Sequence, residues 1–213
     1  MKINWLGHAS FLLEVLNKTI ITDPINEKAG YKVYNKRVDY VTVSHEHWDH
    51  NQVHALLGEP MVINTLGSYH SEGINFEGIA SYHDPQQGRL RGSNIIFKIN
   101  AEGINLVHLG DLGHLLNEKD IQALGEVDIL LIPVGGTFTI DAREAFNLVN
   151  KLNPKLVIPM HYQTPHLSFQ LAPVEDFTRH FDIVVKKPYL EISKNNLDQE
   201  NKVILLDYLS WLT

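Results

Sequence analysis

The chain has 213 residues, 44% of them hydrophobic and none of them Cys, which suits one compact domain, 1–213, burying roughly 70% of its unfolded surface. No run approaches the ~18 uninterrupted apolar residues of a membrane helix, and without Cys there are no disulfides, thiolate ligands or thiol nucleophile, so a metal has to be held by His and carboxylates. The formal charge of −7 and the lack of a Lys/Arg stripe disfavour a polynucleotide substrate, although cations bound in a cleft would reverse the local sign and admit an anionic small molecule.

Residues 1–25 read as two or three strands, with Asn17-Lys18 as a turn and Pro24 as a stop. His8 and Glu14 interrupt the first apolar run and no small-residue cleavage site follows, which predicts a cytoplasmic chain without a secretory signal. His8, after Gly7, reads as a satisfied polar residue that at most lines a cleft. Asp23 closes an apolar strand, and two roles stand level for it: capping its own turn, or orienting a ligand histidine. Residues 26–37 are polar without a clear period, hence a loop.

Val38 to Ser44 predicts a buried strand, and it runs into SHEHWDHN. The pattern His-x-His-x-Asp-His arises by chance at about one in 10⁵ per window, so coincidence is a poor account of it. His45 and His47 are two apart, and on extended backbone such residues share a face and can converge on one ion. Asp49 and His50 open DHNQVHALLG, read as a helix with Gly58 at its end, and the turn there can aim both at a second ion. Imidazole and carboxylate suit Zn, Mn or Fe.

Beyond this lie a short strand, PMVINT, and a Gly-rich stretch, GSYHSEGINFEG, that places His70 in solvated turns. His83 ends GIASYH, Asp111 ends INLVHLGD and His161 follows PKLVIPM. Four strands therefore finish in a His or Asp, and groups at one sheet edge can converge. LNEKDIQALGE and IDAREAFNLVNKLNP have helical spacing, with Asn117 and Asp141 as N-caps and Pro154 as a stop. VDILLIPVGG is a further buried strand, and the tail suggests more strands with apolar residues anchoring the end. Strand-rich halves each followed by helices imply an α+β fold, a four-layer αββα sandwich.

His45, His47, Asp49, His50, His83, Asp111 and His161, with WLGHASFLLE, ITDP, VSHEHWDH, HLGDLGH and LLIPVGGTFTIDAREA followed by PMHYQT, resemble the metallo-β-lactamase superfamily. The nearer resemblance is to its small single-domain hydrolases, the group that includes the ascorbate-6-phosphate lactonase-like proteins. That resemblance implies two divalent ions, Zn²⁺ first with Mn²⁺ or Fe²⁺ as alternatives. His45, His47 and His83 would hold one ion, Asp49, His50 and His161 the other, and Asp111 would bridge them, with Asp23 supporting the ligand loop from behind. Asp111 stands where several true β-lactamases have Cys, which argues against β-lactam resistance.

The expected activity is hydrolysis of a small ester, lactone or phosphodiester by a hydroxide bridging the ions, with Asp49 as its acceptor. Tyr162 is a candidate donor to the developing oxyanion, set against a buried Tyr with a satisfied hydroxyl. Arg89 and Arg91 are candidates to pair with an anionic substrate, set against a solvated loop. His54, His108, His114, His166 and His180 read as structural or solvent-facing. Two other classes compete: a mononuclear iron dioxygenase on the same fold and a non-catalytic metal-binding protein.

Overall fold

The computed structural model describes residues 1–197 and 202–208. In chain order the strands begin with β1 (Lys2–Gly7), β2 (Ser10–Val15), β3 (Lys18–Thr22), β4 (Tyr40–Thr42) and β5 (Met61–Ile63). Next come β6 (Gly67–Ser71), β7 (Ile74–Tyr82), β8 (Ser93–Ala101), β9 (Ile104–His108) and helix α1 (Glu118–Leu124). Then β10 (Ile129–Pro133), α2 (Ala142–Leu152), β11 (Leu156–Met160), α3 (Glu175–Thr178), β12 (Val184–Lys187), β13 (Leu190–Glu191) and β14 (Lys202–Leu206) complete them. They form two sheets, ordered β13-β1-β2-β3-β4-β5 and β12-β14-β11-β10-β9-β8-β7-β6. Strands β3 to β5 pair in parallel, as do β9, β10, β11, β14 and β12, while the hairpins β1-β2-β3 and β6-β7-β8-β9 are antiparallel.

Side chains alternate across a strand, so each one feeds two layers. Phe11, Leu13 and Val15 of β2 and Ile20 of β3 share one buried cluster with Phe76, Phe97, Ile99 and Leu106 of the second sheet. Their neighbours Leu12 and Ile21 turn to the other face, where Val41, Val43, Tyr34, Val38 and Leu56 cover them. That outer layer is slight, built from the 26–37 loop and single 3₁₀ turns at Glu27–Ala29 and Val53–Ala55. The second sheet is covered by α2, whose buried Ala145, Leu148, Val149 and Leu152 recur at the spacing of one helical face. Both predicted caps are present: Asn117 and Asp141 each make a reciprocal capping box, and Asn153, in the left-handed region, ends α2 before Pro154.

Three sequence expectations need correction. No α-helix runs from Asp49 to Gly58; only Val53–Ala55 winds, as a 3₁₀ turn. The amide of Gln52 bonds to Pro24 O at 2.8 Å, which ties this segment to the loop after β3. The buried strand expected over 38–44 pairs regularly only at Tyr40–Thr42, although Val43 N still reaches Ile63 O at 3.1 Å. The Gly-rich 67–78 stretch is the β6-β7 hairpin, turning at Glu72-Gly73; its Tyr69 lies opposite Phe76, and that cross-strand aromatic pair outweighs the Gly and Ser content. The tail strands are β12 to β14, while the expected terminal anchor, 209–213, lies outside the described residues.

Candidate metal centre

Strands β3, β4, β7, β9 and β11 all end at one rim, joined there by the β1-β2 turn. Beyond these ends the chain presents Asp23, His45 to His50, His83, Asp111 and His161. Several hold unusual backbone: His8, Asp23 and His161 have φ of 53°, 40° and 53°, a left-handed region that side-chain-bearing residues occupy at a cost of order 1–3 kcal/mol and that clusters at functional sites. Two glycines let the ligand loops touch backbone to backbone. A Cβ on Gly113 would lie 2.3 Å from the His83 carbonyl carbon, and one on Gly135 would lie 2.1 Å from His161 O.

The seven predicted ligands lie together. His45, His47 and His83 offer ring nitrogens within 4.8 Å of one another, and so do His8, His50 and His161. Asp111 sits between the two sets: its Oδ2 is 3.2 Å from Nε2 of His83, 3.2 Å from that of His50 and 3.1 Å from that of His161. Asp49 Oδ2 is 3.8 Å from His50 Nε2 and 3.3 Å from His8 Nε2. His8, read from the sequence as a bystander, is fully buried with its ring centroid 4.0 Å from that of His161.

The supports behind the ligands are as ordered as the ligands. Asp23 accepts from Ser44 N at 2.7 Å and Ser44 Oγ at 2.6 Å, and its Oδ2 lies 3.0 Å from His50 Nδ1. Ser44 Oγ is also 2.9 Å from His45 Nδ1. One carboxylate thus orients two imidazoles, and of its two sequence readings the structure gives Asp23 the orienting one. Asn94, buried in β8, accepts the Asp111 amide at 2.9 Å and donates to Leu109 O at 2.9 Å. Sequence reasoning passed over Asn94, which sits among the polar Ser93, Lys98 and Asn100 of β8 and so carries no distinguishing local signal.

Burial and neighbouring charge divide the titrations. Burial, helped by His50, pushes His45 down to about 3, and burial with His161 pushes His8 down to about 4, so both are neutral, the ligating form, at pH 7. His50 goes the other way: burial opposes its charge, but Asp111 and Asp23 on either side outweigh it and raise it well above the usual range. For Asp111 burial is outweighed by the imidazoles of His161 and His50, which hold it well below the usual carboxylate range.

A cation fits this donor set on an observation independent of resemblance. Nε2 of His8, His45 and His50 and Oδ1 of Asp111 are buried without a hydrogen-bond partner. Each such group costs ~1–3 kcal/mol, and a concentration of them in one place is the mark of a site built for an ion. Of the other histidines, His108 donates Nε2–H to Ala9 O at 2.8 Å, His114 is half-buried, and His54, His70, His166 and His180 are exposed. Tyr162 is not brought to the cleft. It packs in the core, stacked on Trp5 at 5.2 Å, and burial raises its hydroxyl pKa.

Two sheets with a His/Asp cluster at their shared rim define a metallo-β-lactamase-type fold. Residues 2–161 match the beta-lactamase superfamily domain model, and the chain belongs to that family. A UPF0173 metal-dependent hydrolase from Caldivirga maquilingensis is 32% identical over 218 residues, covering 87% of this chain and 95% of that protein. A crystal structure of a metallo-beta-lactamase superfamily protein from Thermotoga maritima superposes with TM-score 0.84 at 40% identity, covering 97% and 98% of the two chains. A metallo hydrolase from Ignicoccus hospitalis, TM-score 0.70 at 21% identity over 97% and 94% of the chains, shares the fold. Among the described residues no helix is long and apolar enough to cross a membrane.

Proposed function

We propose that the chain is a metal-dependent hydrolase that holds two divalent ions, Zn²⁺ first by the chemistry of an imidazole-rich, carboxylate-bridged donor set, and cleaves a small ester, lactone or phosphodiester. The observation that carries this reading is the position of Asp111, one oxygen of which faces Nε2 of His83 on one side and of His50 and His161 on the other. His45, His47 and His83 would hold the first ion, Asp49, His50 and His161 the second, and Asp111 would belong to both.

Bound there, the pair supplies Lewis acidity and a water whose pKa falls from ~15.7 towards ~7. The chain's own residues do the rest. Asp49 is partly exposed at the cleft, and burial, which would raise its carboxyl, is outweighed by His8 and His50, which keep it ionised and able to take a proton from the attacking water. His8 lies on the buried side of Asp49, its Nε2 3.3 Å from Oδ2. Asp23, through His50 and Ser44, fixes the ring planes.

Metal analysis of the purified protein and a panel of lactones, esters, thioesters and phosphodiesters test the reading. Two ions per chain with turnover is the expected result, and Asp111→Ala reduces the stoichiometry towards one and abolishes turnover. One iron per chain with oxygen consumption would favour the dioxygenase, and full occupancy without turnover a binding protein.

A further inference from the structure

We propose that the cleft selects substrates with a flat apolar body carrying an anionic group: Arg91 receives the anion, and Trp48, Phe138 and Phe169 receive the body. The inference rests on the hydrolytic reading and names the substrate class that reading leaves open.

The cleft beside the ligands measures about 430 Å³, within the ~300–1,000 Å³ range of small-molecule sites. Apart from ligand positions its walls are Trp48, Arg91, Phe138 and Phe169. The three rings come from separate segments and converge. Phe169 lies edge-on to Trp48 at 6.4 Å and to Phe138 at 6.1 Å, and its ring is 5.5 Å from that of His8. Trp48 remains 50% and Phe138 38% exposed, and large aromatic surface left in water around a polar centre marks a contact surface. A polar substrate alone would have no use for such a rim.

Arg91 is the one Lys or Arg among the residues lining that cleft. Its guanidinium lies 5.5 Å over the Phe138 ring, and among the described residues no carboxylate reaches it at ion-pair distance. The loop that carries it is built around a buried acid. Asp84, 0% exposed, accepts the amides of Gln86 at 2.7 Å, Gly88 at 3.1 Å, Leu90 at 3.0 Å and Arg91 at 2.8 Å. Gly92 O then accepts from His83 N at 3.1 Å, tying the loop to a ligand. Asp84 thereby fixes the backbone of Arg91, whose guanidinium lies over the Phe138 ring and has N–H groups able to fork onto a carboxylate or phosphate. Arg89, in the same loop, is exposed and lines no part of the cleft, so the two arginines that the sequence left equivalent are distinguished. The Arg91-Phe138 stack also belongs to the wall of a neighbouring cavity of about 630 Å³ that contains none of the seven ligand positions.

The test is calorimetric binding to the metal-loaded protein of phenylphosphonate, methylphosphonate and uncharged benzyl alcohol. Phenylphosphonate is expected to bind about 10-fold or more tighter than either of the others. Arg91→Gln, checked for unchanged metal content, weakens both phosphonates about 10- to 100-fold, the range for a charge-assisted hydrogen bond. Phe169→Ala lowers phenylphosphonate to the level of the methyl compound. Equal affinity for the phenyl and methyl probes overturns the proposal, as does an Arg91→Gln protein that binds phenylphosphonate like the parent. Failure of every ester and phosphodiester to turn over would reject the hydrolase and leave this affinity pattern to decide the binding site independently.

Discussion

Asp23 touches Ser44 and His50 with one carboxylate, and through them it governs a ligand of each proposed ion. Removing such a support typically costs 10- to 100-fold in metal affinity. Asp23→Ala is therefore expected to lower affinity about 10- to 100-fold at both positions in a chelator-competition titration; unchanged binding would reduce Asp23 to a turn residue. The same scale shows what a sequence reveals. His45, His83, Asp111 and His161 stood out because each is a polar group directly after an apolar run. Ser44 and Asn94 did not, since their work is done across the sheets on partners that no local pattern predicts. His8 was underrated because a histidine after glycine in a hairpin turn looks ordinary until its ring is found against His161. Tyr162 was overrated for the opposite reason: after the left-handed turn at His161, the next side chain packs on Trp5 in the core, so adjacency to a ligand did not bring it to the cleft.

Elements meet the site through their ends, and their other ends are stitched separately. Asp128, just before β10, accepts the Asn105 amide at 2.8 Å and the ammonium groups of Lys155 at 2.5 Å and Lys194 at 3.1 Å, joining the starts of β9, β10 and β11 far from the cluster. Burial would raise its carboxyl, but Lys155 and the Asn105 amide outweigh it and depress the pKa. The sign follows: a folded-state value below the unfolded ~3.9 gives stability that is present above that pH and lost as pH falls through the folded value. Asp128→Asn is expected to cost about 1.5–3 kcal/mol at pH 7, with the gap to the parent closing below about pH 4 in denaturant titrations; a pH-independent gap would rule out the charge as its source. At the rim, Gly113→Ala forces the 111–114 loop off the His83 backbone, and about a 10-fold loss of affinity for the first ion is expected by the same titration. Helices α1 and α2 were legible from their caps. The helix expected after Asp49 is replaced by a segment that Gln52 ties to the loop after β3, a tertiary contact that no periodicity records.

For the whole molecule, the decisive fact is that the two proposed ions draw on both sheets: His45 to His50 follow β4 in one, while His83, Asp111 and His161 follow β7, β9 and β11 in the other. Ligand that binds only the folded chain stabilises it by ~4 kcal/mol at a thousand times Kd. With ~2–4 °C per kcal/mol at this size, each ion bound in excess should raise Tm by about 8–16 °C, reversed by a chelator in a calorimetric scan. An unchanged Tm would mean that no ion joins the sheets. The sandwich itself was readable, because strand-rich halves leave few ways to bury both faces; the aromatic rim was not, since Trp48, Phe138 and Phe169 are far apart in the chain. One contact carries a consequence for biosynthesis. The amide of His161 bonds to the carbonyl of His8 at 3.1 Å, so the earliest-made histidine of the cluster is completed by the latest. A ribosome delivers the first long before the second, so a growing chain can assemble the proposed first site from residues 45 to 111 while the second, which needs His161, is still incomplete.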